Sequence, residues 1–188
     1  VSMEEPQALW LSAGDADLLK AFREGQAFKA TVHVAEPERE PVRLRNVAGL
    51  VRGTDPKLRD TYVIVSAHYD HMGLLPGDAD DRIMNGANDN ASGTASMIEV
   101  ANALVAAPPR RSGLFIAWFG EELGLFGSRH YVSKPLEPLA KTIANVNLEQ
   151  MGRIDDPAGP AHGSAGMTGA DYSSVGDIFA RAAEEMGV

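Results

Sequence analysis

The sequence contains no cysteine in its 188 residues. This absence excludes disulfide frameworks, zinc ribbons and catalysis by a thiol, and it leaves the redox compartment undetermined. Any metal ion that the protein binds must therefore be held by nitrogen and oxygen ligands, because thiolate ligands are missing.

Basic residues and long apolar runs are also scarce. The chain has 17 Lys and Arg against 26 Asp and Glu, and no basic stripe, so nucleic acid is disfavoured as a partner. No apolar run approaches the roughly 20 residues of a membrane span, and the start, VSMEEPQ, lacks the apolar core of a signal peptide. The net charge of −9 suits a protein that gathers cations, and the chain length predicts one main domain.

Short apolar runs alternate with helical patterns along most of the chain. Continuous apolar, β-branched runs, which are typical of strands buried on both faces of a parallel sheet, occupy residues 62–67, 114–119 and 142–148. Helical patterns occupy residues 93–106, 125–132 and 174–186. The sequence therefore predicts an α/β fold with a mixed, mostly parallel sheet, helices on both faces and ligands at the carboxyl ends of the strands.

The N-terminal part carries weaker signals. Residues 12–25 read as a short helix, and residues 27–35 and 43–52 alternate apolar with polar side chains around a turn, which predicts a hairpin. Residues 155–171 are rich in Gly, Ala and Pro and are predicted to form a loop.

Four short acidic or histidine-bearing segments follow these strands or precede a helix. They are AHYDH (67–71), NDNASG (88–93), GEELGLFGS (120–128) and NLEQMGR (147–153). In the first, a strand ends at His68, and Asp70 is close enough to accept the second N–H of the imidazole, as metal-bound histidines require. An isolated histidine that only caps a strand end is the alternative, and His71 is interpreted as a bystander or pocket wall.

The second segment places Asp89 between Asn88 and Asn90, just before a helix. A carboxylate with two oxygens can bridge two cations in such a turn. A helix N-cap is the alternative interpretation, since Asp and Asn are preferred capping residues.

The third segment, in which Glu121 and Glu122 follow a strand directly, carries the strongest signal. Two adjacent carboxylates repel each other unless cations or protons intervene. One can hold a metal ion while the other faces the water bound to it, so the pair can supply a ligand and a general base. The alternative is an exposed first helical turn, but Gly120, Gly124 and Gly127 favour a tightly shaped turn.

Glu149, in the fourth segment, closes the last predicted strand. A single carboxylate at a strand end is ordinarily exposed. Its convergence with the other strand ends makes Glu149 a candidate ligand.

The four segments together resemble the family-28 metallopeptidases, which are co-catalytic zinc aminopeptidases related to glutamate carboxypeptidase and the transferrin receptor. The resemblance covers about residues 42–153 and keeps the order and spacing of all four motifs. It implies two zinc ions: His68 and Glu149 bind one, Glu122 binds the other, and Asp89 bridges them. The family commonly has Asp at the position of Glu149, and Glu also occurs there.

The resemblance further implies that Glu121 is the general base and that Asp70 orients His68. The implied function is hydrolysis of a peptide bond near a free terminus, with an aminopeptidase favoured over a carboxypeptidase and a peptide as substrate. Two other classes stay open, namely a glutaminyl-cyclase-type zinc acyltransferase and a receptor-like binding module without catalysis. The last alternative is an α/β domain in which these acidic residues only cap helices or lie in solvent-exposed turns.

The extent of the resemblance also implies a domain division. Residues 1–28 resemble the end of a protease-associated domain, and residues 29–188 the N-terminal part of the catalytic domain. The fifth metal ligand of the family is a downstream histidine without a counterpart up to Val188. We therefore expect a fragment of an exported parent enzyme that binds zinc weakly or partially, is inactive alone, and self-associates through an exposed sheet edge.

Overall fold

The computed structural model describes Lys20 and residues 23–25, 40–78, 80–153 and 165–187. Backbone contacts divide the chain into two units, residues 1–42 and 43–188. Most of the predicted helix 12–25 and the whole predicted strand 27–35 lie outside the described residues. These two elements, and the predicted domain division after residue 28, stay predictions.

Six strands are described in the second unit. They are β1 (Val47–Val51), β2 (Tyr62–His68), β3 (Gly73–Leu74), β4 (Ile83–Met84), β5 (Ser112–Trp118) and β6 (Thr142–Asn147). Four of them form a sheet in the order β1-β5-β2-β6, in which β5 and β6 run parallel to β2 and β1 runs antiparallel to β5. The pair β3 and β4 forms a separate antiparallel ribbon. The predicted mixed, mostly parallel sheet is confirmed.

The described helices follow the predicted pattern closely. They are α1 (Gly93–Ala106), α2 (Phe126–Ser133) and α3 (Val175–Met186), with a π-helical turn at Ala87–Ser92 and 3-10 turns at Leu139–Lys141 and Ala170–Tyr172. None of these helices is long and apolar enough to cross a membrane. Of the predicted loop 155–171, residues 165–169 are described without helix or strand, and the 3-10 turn begins at Ala170.

Both faces of the sheet carry a packed apolar cluster, because side chains alternate along each strand. One cluster joins Tyr131 of α2 to the strand residues Tyr62, Ile64, Leu114, Ile116 and Trp118. The other joins Met97 of α1 to Val65, Ala67, Phe115 and Ala117. The helices therefore cover both faces, and β2 and β5 are buried along almost their whole lengths.

The central strands end where the acidic segments begin. In the parallel pairing, His68 lies opposite Trp118 of β5, and Ser66 lies opposite Asn147 of β6. The carboxyl ends of β2, β5 and β6 thus lie at one edge, as the sequence predicted. Self-association through an exposed sheet edge stays a prediction.

Replacing Ile116 with alanine should destabilise the fold strongly. Its side chain is fully buried in the middle of β5, so the cavity should lower the free energy of unfolding by about 2–5 kcal/mol. The matched change Ile98→Ala on α1, where the side chain is 50% exposed, should cost less than about 1 kcal/mol. Urea denaturation of both variants measures the difference, and equal losses would contradict the assignment of this core.

Candidate metal centre

His68 is the last residue of β2, and only 1% of its side chain is exposed. Its Nε2 lies 2.9 Å from Oε1 of Glu149 and 3.0 Å from Oδ1 of Asp89. Its Nδ1 lies 3.1 Å from the backbone carbonyl oxygen of Asp70. A proton on Nδ1 would donate to that carbonyl and leave the Nε2 lone pair directed at the two carboxylates, which is how a metal-binding histidine is oriented.

Asp70 acts differently from the prediction. The sequence suggested that its carboxylate would accept the hydrogen bond of His68, but Oδ1 lies 3.6 Å from Nδ1, beyond hydrogen-bond range. The backbone carbonyl of Asp70 takes that place because the chain turns directly after β2. The carboxylate instead accepts the backbone N–H of Glu121 at 3.2 Å, so Asp70 connects His68 to the Glu-Glu turn.

Asp89 lies in the π-helical turn before α1, and its peptide bond to Asn90 is cis. Ser92 is the N-cap residue of α1, so the alternative that Asp89 caps this helix is wrong. The Oδ1 atom of Asp89 is buried and has no hydrogen-bond partner among the described residues, although it lies 3.0 Å from Nε2 of His68. Oδ2 receives only a long contact of 3.4 Å from the side chain of Gln150.

Asn90 fixes this turn against the end of β6. Its buried side chain donates to the carbonyl of Leu148 at 2.9 Å and accepts the backbone N–H groups of Gly93 and Gln150 at 3.1 and 3.2 Å. A Cβ at Gly93 would collide with the Leu148 carbonyl oxygen. The Asn and Gly of the segment NDNASG therefore hold the neighbouring Asp89 beside the strand ends.

Glu121 and Glu122 lie in a turn between β5 and α2, which begins at Phe126, so the alternative of an exposed first helical turn is wrong. Gly120 and Gly124 have φ angles of +71° and +105°, which L side chains rarely adopt. The predicted tightly shaped backbone is confirmed.

A third glycine of this segment, Gly127, and Asn46 close the turn. The N–H of Gly127 donates to the carbonyl of Phe119 at 2.7 Å, where a Cβ would collide with the Phe119 backbone. The Asn46 side chain donates to the carbonyl of Gly127 and accepts the N–H of Phe119. Both ends of the Glu-Glu turn are thus fixed.

The candidate donor atoms converge in three overlapping groups, and within each group the ligand atoms lie within 4.8 Å of one another. Two groups share Asp89, namely His68, Asp89 and Glu149, and His71, Asp89 and Glu122. The third group is His68, Glu121 and Glu122. The structure therefore brings the predicted ligands together, and Asp89 belongs to two of the groups.

The sequence led us to interpret His71 as a bystander or pocket wall, and in the structure its Nδ1 lies 2.7 Å from Oε1 of Glu122. The available signal was a second imidazole three residues after His68, in a segment that leaves the same strand end.

The charges of the centre are unbalanced in favour of carboxylates. Burial raises the pKa of Glu121, and the carboxylates of Glu122, Glu149 and Asp89 raise it further, although the nearby imidazole of His68 opposes the shift. Burial by itself lowers the pKa of His68, but the hydrogen bond and charge of Glu149, with the charges of Glu121 and Asp89, more than offset it and raise the pKa. A divalent cation would relieve this repulsion.

These donors fit zinc. Zinc accepts imidazole nitrogen and carboxylate oxygen, and its catalytic sites use three protein ligands. The buried Oδ1 of Asp89, which has no hydrogen-bond donor, is an oxygen that a cation would satisfy.

Comparison with known proteins gives a consistent result. Residues 46–188 match the model described as peptidase family M28. The aminopeptidase YwaD of Bacillus subtilis is 39% identical over 109 residues, which cover 57% of this chain and 22% of YwaD. A glutamate carboxypeptidase 2 homolog of Caenorhabditis elegans is 30% identical over 135 residues, covering 68% of this chain and 16% of that protein.

The names of two further similar proteins include zinc. A probable zinc metalloprotease of Leptosphaeria maculans is 34% identical over 130 residues, covering 68% of this chain and 27% of that protein. The solved structure of BSAP, a zinc aminopeptidase from Bacillus subtilis, matches with a TM-score of 0.45 and 36% identity, covering 56% of this chain and 24% of BSAP. The chain thus spans about a quarter or less of the length of these relatives.

Replacing Asn90 with alanine should lower the free energy of unfolding. The change leaves buried backbone groups of Gly93, Leu148 and Gln150 without their partner, which should cost about 2 kcal/mol or more. The exposed Asn85, which makes one 3.3 Å contact to Ile83, provides the control Asn85→Ala, expected to change stability by less than about 0.5 kcal/mol. Similar denaturation midpoints for the two variants would rule out this role of Asn90.

The His68 imidazole of chelator-treated protein should titrate above its ordinary pKa of about 6.5, and Glu149→Gln should lower that pKa by removing the hydrogen bond and charge. Because the folded pKa is raised, the stabilisation is complete below the unfolded pKa and is lost as pH rises through the folded pKa. NMR titration of the imidazole and denaturation across this range measure both effects. A His68 pKa at or below 6.5 would refute the carboxylate contacts.

Proposed function

We propose a metal-dependent exopeptidase function for this chain, which belongs to peptidase family M28. The observation that carries the proposal is that Asp89 belongs to two groups of candidate ligands, each of which contains one further Glu and one His. The names of the relatives, which include zinc aminopeptidases and zinc metalloproteases, support zinc as the metal.

The proposed centre holds two zinc ions. His68 and Glu149 would bind one ion, Glu122 would bind the other, and the carboxylate of Asp89 would bind both. When bound, two such ions polarise the scissile carbonyl and lower the pKa of the attacking water. The chain itself orients these ligands, since Asp70 fixes the ring of His68 and the side chain of Asn147 donates to Oε2 of Glu149 at 3.1 Å.

Glu121 is the proposed general base. It groups with His68 and Glu122 but not with Asp89, and it lines a cavity of about 180 Å³ together with His68 and Glu149. Burial and the neighbouring carboxylates raise its pKa, which favours acceptance of a proton. Glu121 would take the proton of the attacking water and donate it to the leaving amine.

The electrostatics favour an aminopeptidase over a carboxypeptidase. The described lining of the cavity next to Glu121 includes no Lys or Arg that could pair with a terminal carboxylate, whereas Glu121 and Glu149 both lie there. A free α-amino group is cationic and would be attracted to these acids. The substrate proposed is therefore a peptide with a free N-terminus.

Replacing Glu121 with glutamine should lower kcat by about 10²–10⁴-fold in the natural full-length protein and leave KM and bound zinc nearly unchanged. The amide keeps the size of the side chain but cannot accept the proton. Chromogenic aminoacyl substrates measure the activity. Glu99→Gln, at an exposed position of α1, is the matched control and should retain full activity.

Several outcomes would contradict the proposal. Full activity of the Glu121→Gln variant would remove Glu121 as the base. Release of amino acids only from peptides with a blocked N-terminus and a free C-terminus would indicate a carboxypeptidase. Cyclisation of an N-terminal glutamine without release of amino acids would indicate the acyltransferase alternative, and the absence of both zinc and turnover would indicate a binding module.

A further inference from the structure

We infer that Asn85, which lies between β4 and the π-helical turn Ala87–Ser92, is a site of spontaneous covalent modification. Its side-chain amide is lost to attack by the backbone nitrogen of Gly86, and the isoaspartyl product loosens the turn that carries Asp89. The reaction needs only these two residues and solvent water. The modification is therefore independent of the proposed function.

The sequence places a glycine after an asparagine at this position alone. None of the six other asparagines precedes a glycine. Glycine has no side chain to hinder the approach of its nitrogen to the amide carbon of the preceding residue. Asn85 and Gly86 also lie outside helix and strand, so the hydrogen bonds of a regular element do not hold the pair in place.

The structure leaves both reacting groups accessible. Asn85 is exposed, and its Nδ2 lies 3.3 Å from the carbonyl oxygen of Ile83, which is long for an N–H···O hydrogen bond. None of the described residues accepts a hydrogen bond from the backbone N–H of Gly86. Because exposed side chains change rotamer on the picosecond to nanosecond timescale, the amide carbon and this nitrogen can meet without unfolding of the chain.

The reaction passes through a cyclic imide. The nitrogen of Gly86 forms a bond to Cγ of Asn85, the bond from Cγ to Nδ2 breaks, and ammonia leaves with the amide proton of Gly86. Water then opens the ring at either carbonyl carbon. Opening at the backbone carbonyl gives isoaspartate, in which the main chain runs through Cβ and Cγ, and opening at Cγ gives aspartate.

The isoaspartyl product adds a carbon atom to the backbone directly before a tightly packed residue. Gly86 has a φ angle of +66°, and a Cβ there would lie 2.8 Å from Cβ of His71 and 2.8 Å from the carbonyl oxygen of Asp89. The carbonyl of Gly86 accepts the N–H of Ala91 at 3.0 Å. Since Gly86 has no room to move, the longer backbone strains these contacts and loosens the turn.

Asn102 provides an internal comparison for the reaction. It is also exposed, but it lies within α1 and precedes Ala103. The methyl group of alanine hinders the attack, and helical hydrogen bonds fix the backbone. Asn102 should therefore keep its amide under conditions in which Asn85 loses it.

The first test is incubation of the whole chain at neutral and at mildly alkaline pH, followed by peptide mass spectrometry and labelling with an isoaspartyl methyltransferase. Asn85 should be converted in most molecules before Asn102 shows a measurable loss. Conversion should be faster at the higher pH, because the attacking nitrogen must lose its proton. An intact Asn85, or equal conversion of Asn85 and Asn102, would overturn the inference.

Variants at Asn85 test the effect on the turn. Asn85→Gln keeps an amide, but its longer side chain closes a ring less readily, so incubation should leave its urea denaturation midpoint unchanged. Asn85→Asp adds the negative charge without lengthening the backbone. The deamidated fraction of the unsubstituted chain, isolated by anion exchange, should unfold at a lower urea concentration than Asn85→Asp. Equal midpoints would overturn the proposed loosening of the turn.

Discussion

The parallel pairing of β2 with both β5 and β6 determines the position of the candidate metal centre. This register places His68 opposite Trp118 and Ser66 opposite Asn147, so Glu121 and Glu149 emerge two or three residues later at the same edge. A register shift of two residues along one strand would move its end by roughly 6.6 Å. The 2.9 Å contact between His68 and Glu149 depends on the correct pairing, which the two apolar clusters stabilise.

The same convergence concentrates negative charge. Four carboxylates surround two imidazoles, and burial and mutual repulsion raise the pKa of Glu121. Such an arrangement is unfavourable unless hydrogen bonds and cations compensate for it. Asn90 and the glycines at the turns fix the backbone, so the side chains cannot simply separate, and metal binding is the compensation that the donor types fit.

Strands β1, β2, β5 and β6 and helices α1 to α3 were predictable because apolar runs and their periodicity indicate burial. The ribbon of β3 and β4 was not predicted, because its strands of two residues each are too short to show a pattern. The predicted ligands were also brought together, since strand-end residues of a parallel sheet share one edge. The contacts of Asp70 and His71 were not predictable from spacing, because they depend on the path of the loop after His68. That path directs the carbonyl of Asp70 to His68 and returns His71 to Glu122. The N-cap alternative for Asp89 was wrong because a π-helical turn separates it from α1.

Asp89 is proposed to join two metal sites. Anomalous diffraction at the zinc edge, from crystals grown with zinc, tests this proposal directly. We expect two anomalous peaks about 3.5–4 Å apart, each within bonding distance of the Asp89 carboxylate. One peak, or two peaks of which either lies away from Asp89, would contradict it.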